Sequence, residues 1–118
     1  MWYERKDRHF RRKTTITKGE KKRRPNYIIG EEDKDYLYLG LTHDNKKGSR
    51  HHNHQLFKNP DNSVTSKEDY SYIRKQVEHA AKARFGKVEK DFHMSSEDDD
   101  YVDRIIEKRI NYAKNNKK

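Results

Sequence analysis

Apolar residues gather in three stretches of this chain, Tyr27–Ile29, Tyr36–Leu41 and Val102 to Ile110, and polar residues dominate elsewhere. The run Asn26-Tyr27-Ile28-Ile29-Gly30 is rich in β-branched and aromatic residues. Glu31–Asp35 is polar, and Tyr36-Leu37-Tyr38-Leu39-Gly40-Leu41 then resumes the apolar run as far as Thr42. Two such runs around a short polar connection predict a β-hairpin. The second is apolar at successive positions, so it is expected to be a central strand with both faces covered.

Downstream, His43–Arg50 reads as a loop and Gln55-Leu56-Phe57-Lys58 as a short strand. Asn59–Ser63 is a turn, and Tyr70–His79 is read as a strand that runs on toward Arg84-Phe85-Gly86. Ser95-Ser96 before Glu97-Asp98-Asp99-Asp100 is a helix start, because a serine hydroxyl caps free amides and first-turn acids complement the helix dipole. Val102, Ile105, Ile106, Ile110 and Ala113 then recur on one helical face. The residues before Pro25 show no sustained period beyond a short strand at Thr14–Thr17. The expected organisation is a basic N-terminal arm, residues 1–22, and one α+β domain, residues 23–114. The arm is mobile until it meets a partner or packs on the domain. The domain is a small SH3-like β-barrel or curved antiparallel sheet with a C-terminal helix.

Charge sharpens this picture. The 118 residues are 42% charged and 29% hydrophobic, with a formal net charge of +9. Residues 1–25 hold eleven Lys and Arg against three acids, whereas residues 26–94 and 95–118 are each close to neutral. A basic arm on a near-neutral domain suits phosphate contact, since each neutralised phosphate releases a counterion. Trp2, Tyr3, Phe10 and Ile16 form no apolar helical stripe, so nucleic acid is a better partner than a membrane surface. The absence of cysteine excludes disulfides, thiolate metal ligands and thiol nucleophiles. No apolar run reaches signal-peptide or membrane-span length, so a cytoplasmic protein is expected.

Three constellations carry candidate chemistry. Pro25 fixes its φ at the mouth of the first long strand, and the hairpin returns Thr42 to the same rim as Arg24. A guanidinium and a hydroxyl side by side suit a phosphodiester, and the guanidinium offsets charge developing during phosphoryl transfer. The second is His51-His52-Asn53-His54, in which His52 and His54 share a face if the segment is extended. Three readings stay open for it: a zinc site, a general acid–base role in RNA cleavage, or a solvated polar loop. The third, Glu97–Asp100 with Asp103, is explained by helix-start chemistry and read as structural. The cations expected to contact nucleic acid are Arg11, Arg12, Lys13, Lys21, Lys22, Arg23, Lys46, Lys47, Arg50 and Arg84. Of Tyr36, Tyr38, Tyr70 and Tyr72 some are expected in the core, which leaves at most one or two available to stack on bases.

The order of these pieces resembles the PemK/MazF family of toxin endoribonucleases. Arg23-Arg24-Pro25-Asn26-Tyr27-Ile28-Ile29 is similar to that family's Arg-Pro entry into a hydrophobic strand, and Leu39-Gly40-Leu41-Thr42 to its Thr-terminated strand. Lys82-Ala83-Arg84-Phe85-Gly86-Lys87 resembles its basic Lys-x-Arg-Leu-Gly strand, and Ser95–Asp98 its Leu-Ser-x-Glu-Asp terminal helix. The resemblance spans about residues 23–112. The family's opening Gly-Asp-Ile strand has no clear counterpart in Met1–Lys22, and the His-rich insertion is not required by the family pattern.

The resemblance implies a homodimeric toxin of a toxin–antitoxin pair, which cuts single-stranded RNA without metal or other cofactor and is bound by a protein antitoxin. Arg24 and Thr42 then match the catalytic pair. Among the histidines, His52 or His54 is the expected base. The rival reading is a non-enzymatic binder of RNA or of an RNA–protein complex from a phage or mobile element, such as an anti-defence (anti-CRISPR-like) inhibitor. A ribosome-associated or architectural protein is a third.

Overall fold

In the computed structural model the described residues are 1–7, 11–17, 25–42, 53–56, 72–88 and 94–116. Their strands are β1 (Lys13–Thr17), β2 (Pro25–Glu32), β3 (Asp35–Thr42), β4 (His54–Gln55), β5 (Tyr72–Ile73), β6 (Glu78–Ala81) and β7 (Phe85–Val88). One α-helix, α1, covers Ser96–Asn116.

The hairpin is the centre of the fold. β2 and β3 pair antiparallel from Asn26↔Gly40 to Glu32↔Asp35, so the connection is two residues long. Asp33 takes φ 58 there, a left-handed conformation that aspartate tolerates better than most residues. Each long strand has its free edge covered by two short segments in tandem. Along β3, β6 pairs with Asp35–Tyr38 and β5 with Leu41–Thr42. Along β2, β1 pairs with residues 25–28, and Met1–Tyr3 then continue the same edge. There the Tyr3 amide donates to the Ile29 carbonyl and the Glu31 amide to the Met1 carbonyl, each at 2.9 Å. The N-terminal segment, expected as an arm outside the domain, is thus woven into the sheet over its described residues.

The sheet runs β4-β5-β3-β2-β1-β7 and is open, not closed into a barrel. The single strand expected from Tyr70 to Gly86 is broken into three. Tyr70 lies outside the described residues, β6 pairs with β3, and β7 pairs with β1. Between them the chain crosses over β2, as a 3₁₀ turn at Lys82–Arg84. A continuous strand has no way to change edges, so the turn is what the topology requires.

Alternation sorts the residues onto two faces. The inner face carries Tyr27, Ile29, Leu37, Leu39, Leu41 and Ile73, which pack with Val102, Ile105 and Ile106 of α1 in the main core. Each of these aliphatic side chains contributes about 1.5–3 kcal/mol on burial. Ile110 is only half-buried and Ala113 is exposed, so the helix outruns the sheet that its apolar stripe was expected to cover. The outer face carries Ile28, Tyr36 and Tyr38, and the crossover lays Phe85 on them as a second, smaller cluster. Tyr36 and Tyr38 meet the Phe85 ring edge-on at centroid distances of 5.3 and 5.2 Å.

Candidate nucleic-acid interface

The outer face holds a cleft of about 210 Å³, lined by Thr17, Asn26, Tyr38, Gly40, Arg74, Glu78, Ala80, Arg84 and Phe85 among others. Its floor is the Asn26↔Gly40 pair at the open end of the hairpin. The Asn26 amide donates to Thr17 Oγ1 at 3.1 Å, tying β2 to β1 beneath the cleft. A Cβ at position 40 would stand 3.0 Å from Arg74 Cδ, so glycine is what lets the arginine stem lie across the strand. The Arg74 amide donates to the Gly40 carbonyl at 2.8 Å and holds that segment in place.

Charge in the cleft is mixed. Arg74 Nη2 lies 3.9 Å from Glu78 Oε1, with both side chains partly exposed. Burial pushes the Tyr38 phenol above its ordinary range, and the Glu78 carboxylate, which accepts its hydrogen bond, pushes it further. Arg84 and Arg74 pull the other way. Tyr38 is therefore a protonated donor at neutral pH. Two guanidiniums, a carboxylate and a phenol thus line one small cleft. Together they supply phosphate ligands, a proton acceptor and a proton donor.

The sequence-predicted residues divide. Thr42 stands two residues beyond Gly40 on the same strand face, roughly 7 Å along β3 by strand geometry. Arg84 lines the cleft itself. His54 is on the other side of the sheet. The register His54↔Ile73↔Leu41 sets it on the inner face, whereas Thr42 pairs with Tyr72 on the outer one. There the His54 ring stacks on Tyr101 of α1 at 3.6 Å, and its Nε2 lies 3.7 Å from Asp98 Oδ1. Burial lowers its pKa, Lys75 lowers it further, and Asp98 opposes both. The expected partnership of Thr42 with His54 is therefore absent: a one-residue difference in register sends two side chains to opposite faces.

Arg12 also departs from expectation. It is 1% exposed and is no surface contact for nucleic acid. Its Nε and Nη2 donate to the Tyr3 carbonyl at 3.1 and 2.9 Å, and Nη1 donates to Asp99 Oδ1 at 3.2 Å. Nη2 also donates to Asp103 Oδ1 at 2.5 Å, while the Tyr27 hydroxyl donates to Asp99 Oδ1 at 2.7 Å. Arg5 binds Asp100, the residue next to Asp99. The helix-start acids are structural, as expected, but they do more than complement a dipole: they clamp the N-terminal segment to α1. Ser95 supplies the cap, accepting from the Asp98 amide at 3.2 Å.

Arg11 and Lys13 lie on aromatic rings, Arg11 5.9 Å from the Tyr3 centroid and Lys13 5.5 Å from that of Tyr36. Lys21, Lys22, Arg23, Arg24, Lys46, Lys47, Arg50 and His52 lie outside the described residues. Among the described residues no three His, Asp or Glu side chains gather as metal ligands, and no helix is long and apolar enough to cross a membrane. The cleft residues that sequence reasoning missed are Asn26, Arg74 and Glu78. The only sequence signal for Arg74 and Glu78 was opposite charge four residues apart, inside a stretch read as continuous strand.

No family model matches this chain, and no curated protein does. One solved structure matches over 86% of this chain and 91% of its own, with a TM-score of 0.55 and 10% sequence identity. It is an endoribonuclease in complex with its cognate antitoxin, from Mycobacterial species. This chain shares that structure's fold. At 10% identity the likeness is one of architecture.

Proposed function

We propose that this protein is a toxin endoribonuclease that cuts single-stranded RNA in the outer-face cleft and is held in check by a protein antitoxin. The observation that carries the reading is the cleft, where Arg74, Arg84, Glu78 and Tyr38 converge at the open end of the hairpin. The fold shared with an antitoxin-bound endoribonuclease supports it.

The chemistry needs no group from outside the chain. Glu78 takes the proton of a ribose 2′-hydroxyl as its oxygen attacks the neighbouring phosphorus. The bond from phosphorus to the 5′-oxygen breaks, and that oxygen leaves with the Tyr38 proton. The products are a 2′,3′-cyclic phosphate and a 5′-hydroxyl. Arg74 and Arg84 offset charge on the pentacoordinate phosphate. Arg24, immediately before Pro25 in the chain, and Thr42, at the end of β3, complete the phosphate site in this proposal. The homodimer and the antitoxin partner belong to the same reading.

The test is cleavage of varied single-stranded RNAs in EDTA, with end-group analysis. The expected result is cyclic-phosphate ends, none at a 2′-deoxy position, and a loss of about 10²–10⁴-fold in rate for Glu78→Gln. Arg24→Ala is expected to abolish cutting. RNA that is bound but left whole across varied sequences would overturn the enzyme and leave the non-enzymatic binder.

A further inference from the structure

Some way along the outer face from the cleft lies a cluster of cations that the cutting chemistry does not use. Lys13 Nζ and Lys82 Nζ approach the Tyr36 ring at 5.5 and 5.4 Å from its centroid. Arg11 flanks them over the Tyr3 ring at 5.9 Å. The carboxylate among these groups is Glu31, which accepts from the Tyr3 hydroxyl at 2.6 Å and from Lys82 Nζ at 3.2 Å. Among the described residues three cations thus gather around Glu31, whose hydrogen bonds to Tyr3 and Lys82 hold it ionised, below the usual carboxylate range. The rings hold the long side chains in place while the ammonium heads stay accessible; Lys82 is 38% exposed.

Placement along the strand gives the cluster a direction. Tyr36, Tyr38 and Gly40 follow one another on the outer face of β3, so Tyr36 lies ~13 Å from the cleft floor. At the roughly 3.4 Å rise of a stacked strand this spans about four nucleotides, and fewer if the strand is unstacked.

We infer that Lys13 and Lys82, seated on Tyr36, form a second phosphate subsite for the single-stranded RNA whose reacting phosphate occupies the cleft. The inference rests on the cleft being the cutting site. It makes the outer face a track, with chemistry at the Gly40 end and backbone anchoring at the Tyr36 end.

The test is fluorescence anisotropy with 2′-O-methyl RNAs, which are not cut, two to eight nucleotides long and over a salt series. Wild-type affinity is expected to rise steeply once the oligonucleotide passes about four nucleotides. Lys13→Gln with Lys82→Gln should remove that increment and flatten the slope of log K against log salt by about 1.4, two phosphates at ~0.7 each on a single strand. Lys13→Arg with Lys82→Arg should keep both, which separates loss of charge from loss of fold. Unchanged slope and length dependence in the glutamine pair would overturn the subsite, as would equal competition by a polyglutamate peptide of matched charge. Cleavage by the wild-type protein is scored separately. Binding with the expected length step but no cutting condemns the cleft reading, whereas cutting without the step condemns only the subsite.

Discussion

Replacing Arg12 by methionine tests the clamp between the N-terminal segment and α1. The change keeps an unbranched stem and removes the guanidinium. It strips the Tyr3 carbonyl of two donors and leaves the Asp99 carboxylate, 0% exposed, with the Tyr27 hydroxyl. Removing one partner of a buried ion pair costs about 3–5 kcal/mol. A chain of this size has about 6–18 kcal/mol in total at roughly 0.05–0.15 kcal/mol per residue, so the loss is a large share. At roughly 4 °C per kcal/mol the melting temperature should fall by about 12–20 °C.

Urea unfolding followed by circular dichroism measures this directly, with the m-value expected to stay constant. Adding Asp99→Asn to Arg12→Met removes the stranded charge and keeps an acceptor for Tyr27, so the double variant should regain about 1–3 kcal/mol as coupling energy. The deficit should also depend on pH. Burial already raises the pKa of Asp99, with Tyr27 and Arg12 opposing it. A group whose folded pKa is raised contributes its stability below the unfolded pKa and loses it as pH rises through the folded value. Without Arg12 that pKa climbs further, so the gap between variant and wild type should shrink on acidification. A loss under about 1 kcal/mol, or a double variant no better than the sum of the singles, would refute the clamp.

Two further outcomes follow from the geometry. Gly30→Ala places a Cβ 2.8 Å from the Met1 carbonyl, so Met1–Tyr3 must lift from β2; a cost of about 1–3 kcal/mol and faster hydrogen exchange at the Tyr3 and Glu31 amides are expected. His54, whose pKa is lowered by burial and by Lys75 with Asp98 opposing both, should make stability fall as pH drops below its unfolded value near 6.5. His54→Phe keeps the stack on Tyr101 and should remove that part of the slope, read as urea midpoints between pH 7.5 and pH 5.5.

What the sequence disclosed was local. The hairpin was legible because Tyr27–Ile29 and Tyr36–Leu41 are short β-forming runs around a polar turn. The helix start was legible because its cap and acids lie within five residues. The fate of Arg12 was not, since its acidic partners lie 87 and 91 residues away and a buried arginine has the same letter as an exposed one. His54 was misplaced because the two-residue strands β4 and β5 are too short to announce a register, and register alone decides its face. The cleft escaped notice for a related reason. Asn26, Arg74 and Glu78 come together because β2 and the segment from Arg74 to β6 both bind β3 around Tyr38–Gly40, long-range pairings that no periodicity marks. Thr42 was legible as the end of its strand, since β3 closes at that residue.

The clamp also bears on the order of events during synthesis. Arg12 leaves the ribosome 87 residues ahead of Asp99. At roughly 5–20 residues per second this is a delay of about 4–17 s, in which the arginine has no buried acid to receive it. The N-terminal segment cannot seat stably against β2 while that cation would be interred alone, so the edge of the hairpin stays open until α1 arrives. The N-terminal segment therefore docks only after α1 has been made.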